Sequence, residues 1–303
     1  MHQRGLRANS NLMSIASAPV TGQPYLFIDA QHGLCNRLRA IASAAAIAQV
    51  TGRELVVVWV PDHHCEGHLA DIIDYPGLVI WDADQARDLR SSAVQDYNYM
   101  EIEEGAAFDA PILEGDNPSG DVYIRAAYTL NSIHREYRIE QAFLRGLVPT
   151  APVAELVSSV RHPNDIAAHV RMGTGPAHNH LTYESPENWP AERHEELVRW
   201  RRTSHADRFI AHIDALGDNT TIFLAADLRD TYATFGAHFG DRLATLPRPD
   251  FDRSARQLQY ALADLILLSA ADHFLASNWS SFSDVAQRLA APDRVMEQSG
   301  VDF

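Results

Sequence analysis

The side chains best suited to chemistry stand where short apolar runs end. In His169-Val170-Arg171-Met172-Gly173-Thr174-Gly175, alternation puts His169 and Arg171 on one face of an otherwise apolar strand end. A buried guanidinium costs several kcal/mol unless an anion or an acid pairs with it. The glycines that follow open the backbone, so one reading is a diphosphate held by Arg171 with His169 beside it. A buried Arg–Asp structural pair is the other. A second group, His32-Gly33-Leu34-Cys35-Asn36-Arg37-Leu38-Arg39, follows the apolar run Tyr25–Asp29. Gly33 allows a tight turn, and a helix starting near Asn36 points free N–H groups outward. Asn36 offers a donor and an acceptor, and Arg37 a charged fork for phosphate or carboxylate. The competing reading makes Asn36 a helix cap and leaves Arg37 and Arg39 solvated or paired with acids. GxGxxG is absent, and with it the dinucleotide fingerprint.

Two more groups have the same placement. Leu224-Ala225-Ala226 ends at Asp227, which pairs with a base or ribose or caps the next helix. Ser277-Asn278-Trp279-Ser280-Ser281-Phe282-Ser283 opens a helix with hydroxyls and N–H groups together. That is a phosphate cradle, or only an N-cap. Each signal is weak alone; their recurrence at successive strand ends gives them weight.

Asp62-His63-His64-Cys65-Glu66-Gly67-His68 has the residue types of a zinc site. Adjacent histidines usually point apart, and no second ligand pair completes a set, so these residues are read as lining a cleft for acceptor or sugar, with no metal expected. The polar stretch containing His178, His180, Tyr183, Glu184, Trp189 and His194 is read as a lid, with Trp189 as a sugar platform. The basic group Arg199-Trp200-Arg201-Arg202 is read as a solvated helix face.

The elements that must position these groups alternate. Tyr25–Asp29, Leu38–Val50 and Glu54–Val60 read as strand, helix and parallel strand. Leu78–Trp81 and Val122–Arg125 read as short strands, and Pro111–Gly120 as a loop. Ile166–Arg171, Thr221–Ala226 and His273–Ser277 are strands of a second half, with helices over Arg193–Leu216, Leu228–Phe239, Ser254–Ala270 and Phe282–Ala290. The proline-bearing stretch Leu147–Val153 divides the halves. The expected layout is a tail over 1–24, a Rossmann-like domain over 25–150 on the acceptor side, and another over 151–303 on the donor side. Facing α/β halves form a cleft at their strand C-termini.

Composition limits the partners. With Lys+Arg 25 and Asp+Glu 40, the net charge is 25 − 40 = −15. Such a chain repels nucleic acid and anionic lipid, while a phosphorylated small molecule binds given a few well-placed arginines. Two cysteines make no disulfide framework and suit a reducing cytoplasm. No apolar run approaches the ~20 residues that span a bilayer.

Taken together, Gly33-x-x-Asn36-Arg37, His169-Val170-Arg171-x-Gly173-x-Gly175, Ala226-Asp227 and Trp279-Ser280-Ser281-Phe282-Ser283 resemble the fucosyltransferase superfamily, which includes bacterial nodulation α1,6-fucosyltransferases and protein O-fucosyltransferases. The resemblance runs from Tyr25 to Leu289. It implies a GT-B fold of two facing Rossmann-like domains with parallel sheets, and inversion at the sugar carbon without a metal or other cofactor. It implies GDP-fucose as donor and a glycan or small molecule as acceptor. By that resemblance Arg171 neutralises the leaving β-phosphate, His169 supports the nucleotide and Asp227 reads the guanine. Ser280, Ser281 and Phe282 line the phosphate and sugar, while Asn36 and Arg37 reach in from the other domain. The loop of such proteins often has more glycine; here His32 and Cys35 flank a lone Gly33. For the acceptor's proton, Asp62, His63, His178 and Glu184 are candidates, unless the leaving diphosphate takes it. A transferase using another nucleotide sugar and a non-catalytic nucleotide or glycan binder are the alternatives.

Overall fold

The first strand, β1 (Tyr25–Ala30), and its neighbour β5 (Val122–Ala126) are buried almost throughout, and its other neighbour β2 (Glu54–Val58) is buried over its last three residues. Their Val, Ile, Leu and aromatic content suits a sheet covered on both faces. With β3 (Leu78–Ile80) and β4 (Gln95–Asn98) they form a five-stranded parallel sheet in the order β3-β2-β1-β5-β4. The molecule is a computed structural model that describes residues 22–101, 103–115, 118–173 and 191–303. The expected tail therefore lies almost wholly outside the described residues.

A second parallel sheet repeats the plan. It comprises β6 (Ile166–Val170), β7 (Ile222–Ala226), β8 (Leu243–Ala244), β9 (His273–Ala276) and β10 (Val295–Gln298), ordered β10-β9-β6-β7-β8. In each sheet the chain order reverses beside the first strand, between β1 and β5 and between β6 and β9. Such switch points open a crevice at the strand C-termini, where α/β proteins hold ligands.

Helix α1 (Leu34–Thr51) connects β1 to β2 and explains its alanines. Ala40, Ala42, Ala44, Ala46 and Ala48 are all buried, so the helix is enclosed on every side. It ends at Gly52, whose φ of 69° supplies the left-handed cap. It packs on the first sheet, on α3 (Tyr137–Arg145) and on α9 (Ser281–Leu289), which follows β9. The remaining helices are α2 (Ala83–Ser92), α4 (Ala151–Ser158), α5 (Ala191–Thr203), α6 (Ala206–Leu216), α7 (Arg229–Phe239) and α8 (Ala255–Ser269). The buried pair Arg288–Glu140, at 2.6 Å, ties α9 to α3, and so one half to the other.

Several expectations are corrected. The helix expected over Arg193–Leu216 is two, α5 and α6, because Ser204 and His205 interrupt it and His205 caps the second through Asp207 N–H. The stretch Leu147–Val153 includes the start of α4, where Pro152 takes an early helical position and needs no N–H partner. Strands β4, β8 and β10 were not anticipated. All three are sheet edges, paired on one side only. No helix among the described residues is long and apolar enough to cross a membrane.

Candidate functional site

A cavity of about 680 Å³ lies between the strand ends of the two sheets. The β1–α1 turn contributes Gly33 and Asn36, β6 contributes His169 and Arg171, and the β9–α9 turn contributes Ser280 and Ser281. Asp227 and Phe282 line it as well. Among the described residues six arginines and five carboxylates line it, a local surplus of cations in a chain with net charge −15. That surplus suits an anionic ligand.

Arg171 is braced rather than loose. Its guanidinium meets the Asp227 carboxylate at 2.6 Å. The same carboxylate accepts from the backbone N–H of Met172 at 3.1 Å and of Gly173 at 2.6 Å. Burial pushes the Asp227 carboxyl up, but Arg171 and the two backbone donors outweigh it and hold the group below the usual carboxylate range. Asp227 thus braces the arginine while also lining the cavity. It does not cap α7, since the cap position is Leu228. Gly173 spends its N–H on Asp227 and does not line the cavity.

His169 is held by hydroxyls. Its Nδ1 lies 2.8 Å from Ser283 Oγ, and the Ser283 hydroxyl donates to the Ser277 carbonyl at 2.9 Å. Ser283 then faces His169 as an acceptor, so Nδ1 carries the proton and Nε2 keeps its lone pair. The ring stacks on Phe282 at 4.8 Å. Burial holds its pKa down to about 3, so the imidazole is neutral. Ser277 Oγ donates to the His169 carbonyl and accepts from Arg171 N–H, both at 2.8 Å, which joins the ends of β6 and β9. Ser280 occupies the cap position of α9 without a capping hydrogen bond, and Trp279 before it has φ of 52°.

The first half differs from expectation in its turn. Helix α1 begins at Leu34 with Gly33 as cap residue, so Asn36 is not the cap. Gly33 has φ of −71° and open space where a Cβ would stand; the left-handed residue is His32, at φ 63°. Arg37 does not reach the cavity. It is fully buried, donating to the carbonyls of His32 and Val60 and to Asp62. Helical phase explains this: Asn36 and Arg39, three apart, share the face toward the cavity, and Arg37 turns away.

Asp62 and His63 line a second cavity of about 590 Å³ beside the first, with Asp29, Glu103 and Arg125. The rings of His63 and His64 do not point apart as expected; they lie 3.8 Å from each other. Among the described residues no group of three or more His, Cys, Asp or Glu could hold a metal ion. His178 and Glu184, with the expected lid, lie outside the described residues. Arg199 and Arg202 are exposed, as the solvated-face reading expects, but Arg201 is buried and lines the larger cavity.

Sequence reasoning missed Arg248 and Asp264. Asp264, on α8, is 3% exposed and pairs with Arg248 at 2.5 Å, yet its Oδ1 and Arg248 Nε have no protein partner among the described residues. Both line the larger cavity. Burial raises the Asp264 carboxyl to about 6 against the pull of Arg248. A charged residue at an apolar position of a helix, Leu262-Ala263-Asp264-Leu265, was the available signal.

No family model matches the chain, and no curated protein matches it. Solved structures do. The fucosyltransferase NodZ from Bradyrhizobium aligns with a TM-score of 0.58 at 16% identity, over 88% of this chain and 94% of that one. POFUT1 in complex with GDP-fucose aligns with a TM-score of 0.51 at 11% identity, over 94% of this chain and 99% of that one. The fold is GT-B, similar to that of these two structures. In this GT-B arrangement the larger cavity lies between the two sheets, with Arg171 and α9 on one wall and α1 on the other.

Proposed function

We propose that the chain is a metal-independent, inverting glycosyltransferase that transfers fucose from GDP-fucose to a glycan or small acceptor. The observation that carries this reading is the braced Arg171 beside the N-terminus of α9, in one cavity with the buried pair Asp264 and Arg248, which keeps polar atoms without a partner among the described residues. Breaking the bond between sugar and phosphate leaves negative charge on the diphosphate. Arg171 and the first N–H groups of α9 stabilise that charge, and Asn36 and Arg39 approach from the α1 side. Asp264 and Arg248 take the base: guanine offers N–H groups to a carboxylate and O6 and N7 to an arginine. Uracil cannot match that pattern. NodZ soaked with GDP-fucose and POFUT1 in complex with GDP-fucose support the choice of donor. The free, buried Cys35 and Cys65 suit a reducing cytoplasm.

Calorimetric titration with GDP, UDP, GDP-fucose and GDP-mannose, with and without chelator, tests the proposal. Selective, chelator-resistant binding of GDP and GDP-fucose is expected. Equal binding of UDP would remove the guanine assignment, and no binding of any nucleotide would remove the donor site. Binding of GDP-fucose with no release of fucose under any condition would leave a non-catalytic binder.

A further inference from the structure

His32 holds a backbone conformation that glycine adopts without strain. Its φ of 63° lies in the left-handed region, while the adjacent Gly33 has an ordinary −71°. Strain of this kind persists only where the surroundings impose it, and it concentrates at functional positions. Here the surroundings do impose it. Arg37 Nε donates to the His32 carbonyl at 2.8 Å, and the same guanidinium reaches Val60 O and Asp62. The β1–α1 turn is thereby tied to the end of β2.

This placement puts the imidazole in the wall between the two cavities, and it lines both. On one side are Asn36, Arg171 and Ser280; on the other, Asp29, Asp62 and Arg125. The ring stands edge-on to His64 at 5.1 Å and to Tyr128 at 6.4 Å, which fixes its plane. Burial keeps it neutral, with its pKa drawn down to about 4; Asp62 opposes the shift, and Arg37, Arg125 and Arg39 add to it. A neutral imidazole has one ring nitrogen able to accept a proton.

The second cavity suits hydroxyl groups. Its three arginines face three carboxylates, and Arg125 lies between Asp29 at 2.8 Å and Glu103 at 2.7 Å. Charges compensated in this way call for no charged ligand, yet they present fixed donors and acceptors side by side.

We propose that a saccharide acceptor occupies the second cavity and that His32 takes the proton from its attacking hydroxyl. The proposal rests on the donor reading above. As the acceptor oxygen bonds to the sugar's anomeric carbon, the bond from that carbon to the diphosphate oxygen breaks and its electron pair leaves with GDP. The hydroxyl proton passes to the imidazole and then to solvent.

The test uses water as the acceptor, by following hydrolysis of GDP-fucose, together with GDP affinity and melting temperature. For His32→Gly, hydrolysis is expected to fall ~10²-fold, within the range of general-base contributions. GDP affinity should stay within about twofold, the melting temperature should not fall because glycine relieves the strained φ, and added imidazole should restore part of the rate. His32→Gln, which cannot take the proton, should stay slow. Hydrolysis at the original rate in His32→Gly would overturn the proposal, as would a rate loss matched by an equal loss of GDP affinity, or no rescue by imidazole. So would an unmodified protein that binds GDP but never hydrolyses GDP-fucose. An unmodified protein that binds no GDP would instead refute the donor reading itself.

Discussion

Arg125 and Arg171 both stand near the C-terminal end of an interior strand, Arg125 within β5 and Arg171 just past β6, and their surroundings differ. Arg125 is enclosed by two carboxylates, Asp29 and Glu103, and the sheet register itself sets Asp29 beside it. Arg171 meets the carboxylate of Asp227, and that acid also accepts from two backbone N–H groups. In the first sheet the acids outnumber the arginine they hold, so its charge is consumed by the fold. In the second, Asp227 orients the arginine at a cavity whose described lining carries a surplus of cations. Two similar motifs therefore lead to opposite expectations: a framework in one half and a charge-stabilising group in the other.

Substituting the two arginines tests that distinction most strongly. Arg171→Ala should reduce transfer or donor hydrolysis by ~10²–10³-fold, the usual consequence of removing a group that stabilises charge in the transition state. Steady-state rates with GDP-fucose check this. Arg125→Met should lower stability by ~3 kcal/mol, the lower end for breaking a buried pair, because it leaves Asp29 enclosed without its cation. Denaturant unfolding measures that loss, and GDP affinity of the folded protein should be unchanged. If Arg125→Met weakened GDP binding as much as Arg171→Ala, the two ends would not be functionally distinct.

A smaller effect tests the base end of the cavity. Asp264→Asn removes the charge that guanine's N–H groups are proposed to meet and supplies a donor where an acceptor is required. A hydrogen bond to a charged group contributes roughly 1.5–3 kcal/mol, so the preference for GDP over UDP should fall by about ten- to a hundredfold. Competitive titration of the two nucleotides reads this directly. An unchanged preference would return Arg248 and Asp264 to the status of a buried ion pair.

How much of this was legible in the sequence follows from burial. The central strands β1, β2, β5, β6, β7 and β9 are covered on both faces and spell continuous apolar runs, so they could be read. The edges β4, β8 and β10 are short or polar, because pairing on one side asks little of their side chains. Asn36, His169, Arg171, Ser280, Ser281 and Phe282 do line the cavity, since a polar residue directly after a buried strand has few other places to go. Arg37 was misplaced because α1 starts at Leu34 and not near Asn36, and each residue of helix turns the side chain by about 100°. Asp264 was missed because its meaning depends on Arg248, sixteen residues earlier and on no common element. Only the folded chain brings those two together.

The smallest expected effect concerns the hydroxyls behind His169. With its hydroxyl donated to the Ser277 carbonyl, Ser283 faces the imidazole as an acceptor, the arrangement that calls for the Nδ1–H tautomer and leaves Nε2 to accept from a ligand hydroxyl. Ser283→Ala removes both hydrogen bonds but leaves the Phe282 stack in place. The cost to stability should be about 1 kcal/mol, and GDP affinity should fall by no more than ~10-fold, the equivalent of one ordinary hydrogen bond. Nitrogen chemical shifts of His169 provide the sharper measurement: a single Nδ1–H form in the parent protein and a mixture of tautomers in the variant. A parent spectrum showing the Nε2–H form would reverse the polarity of this contact, and the imidazole would then meet the ligand as a donor.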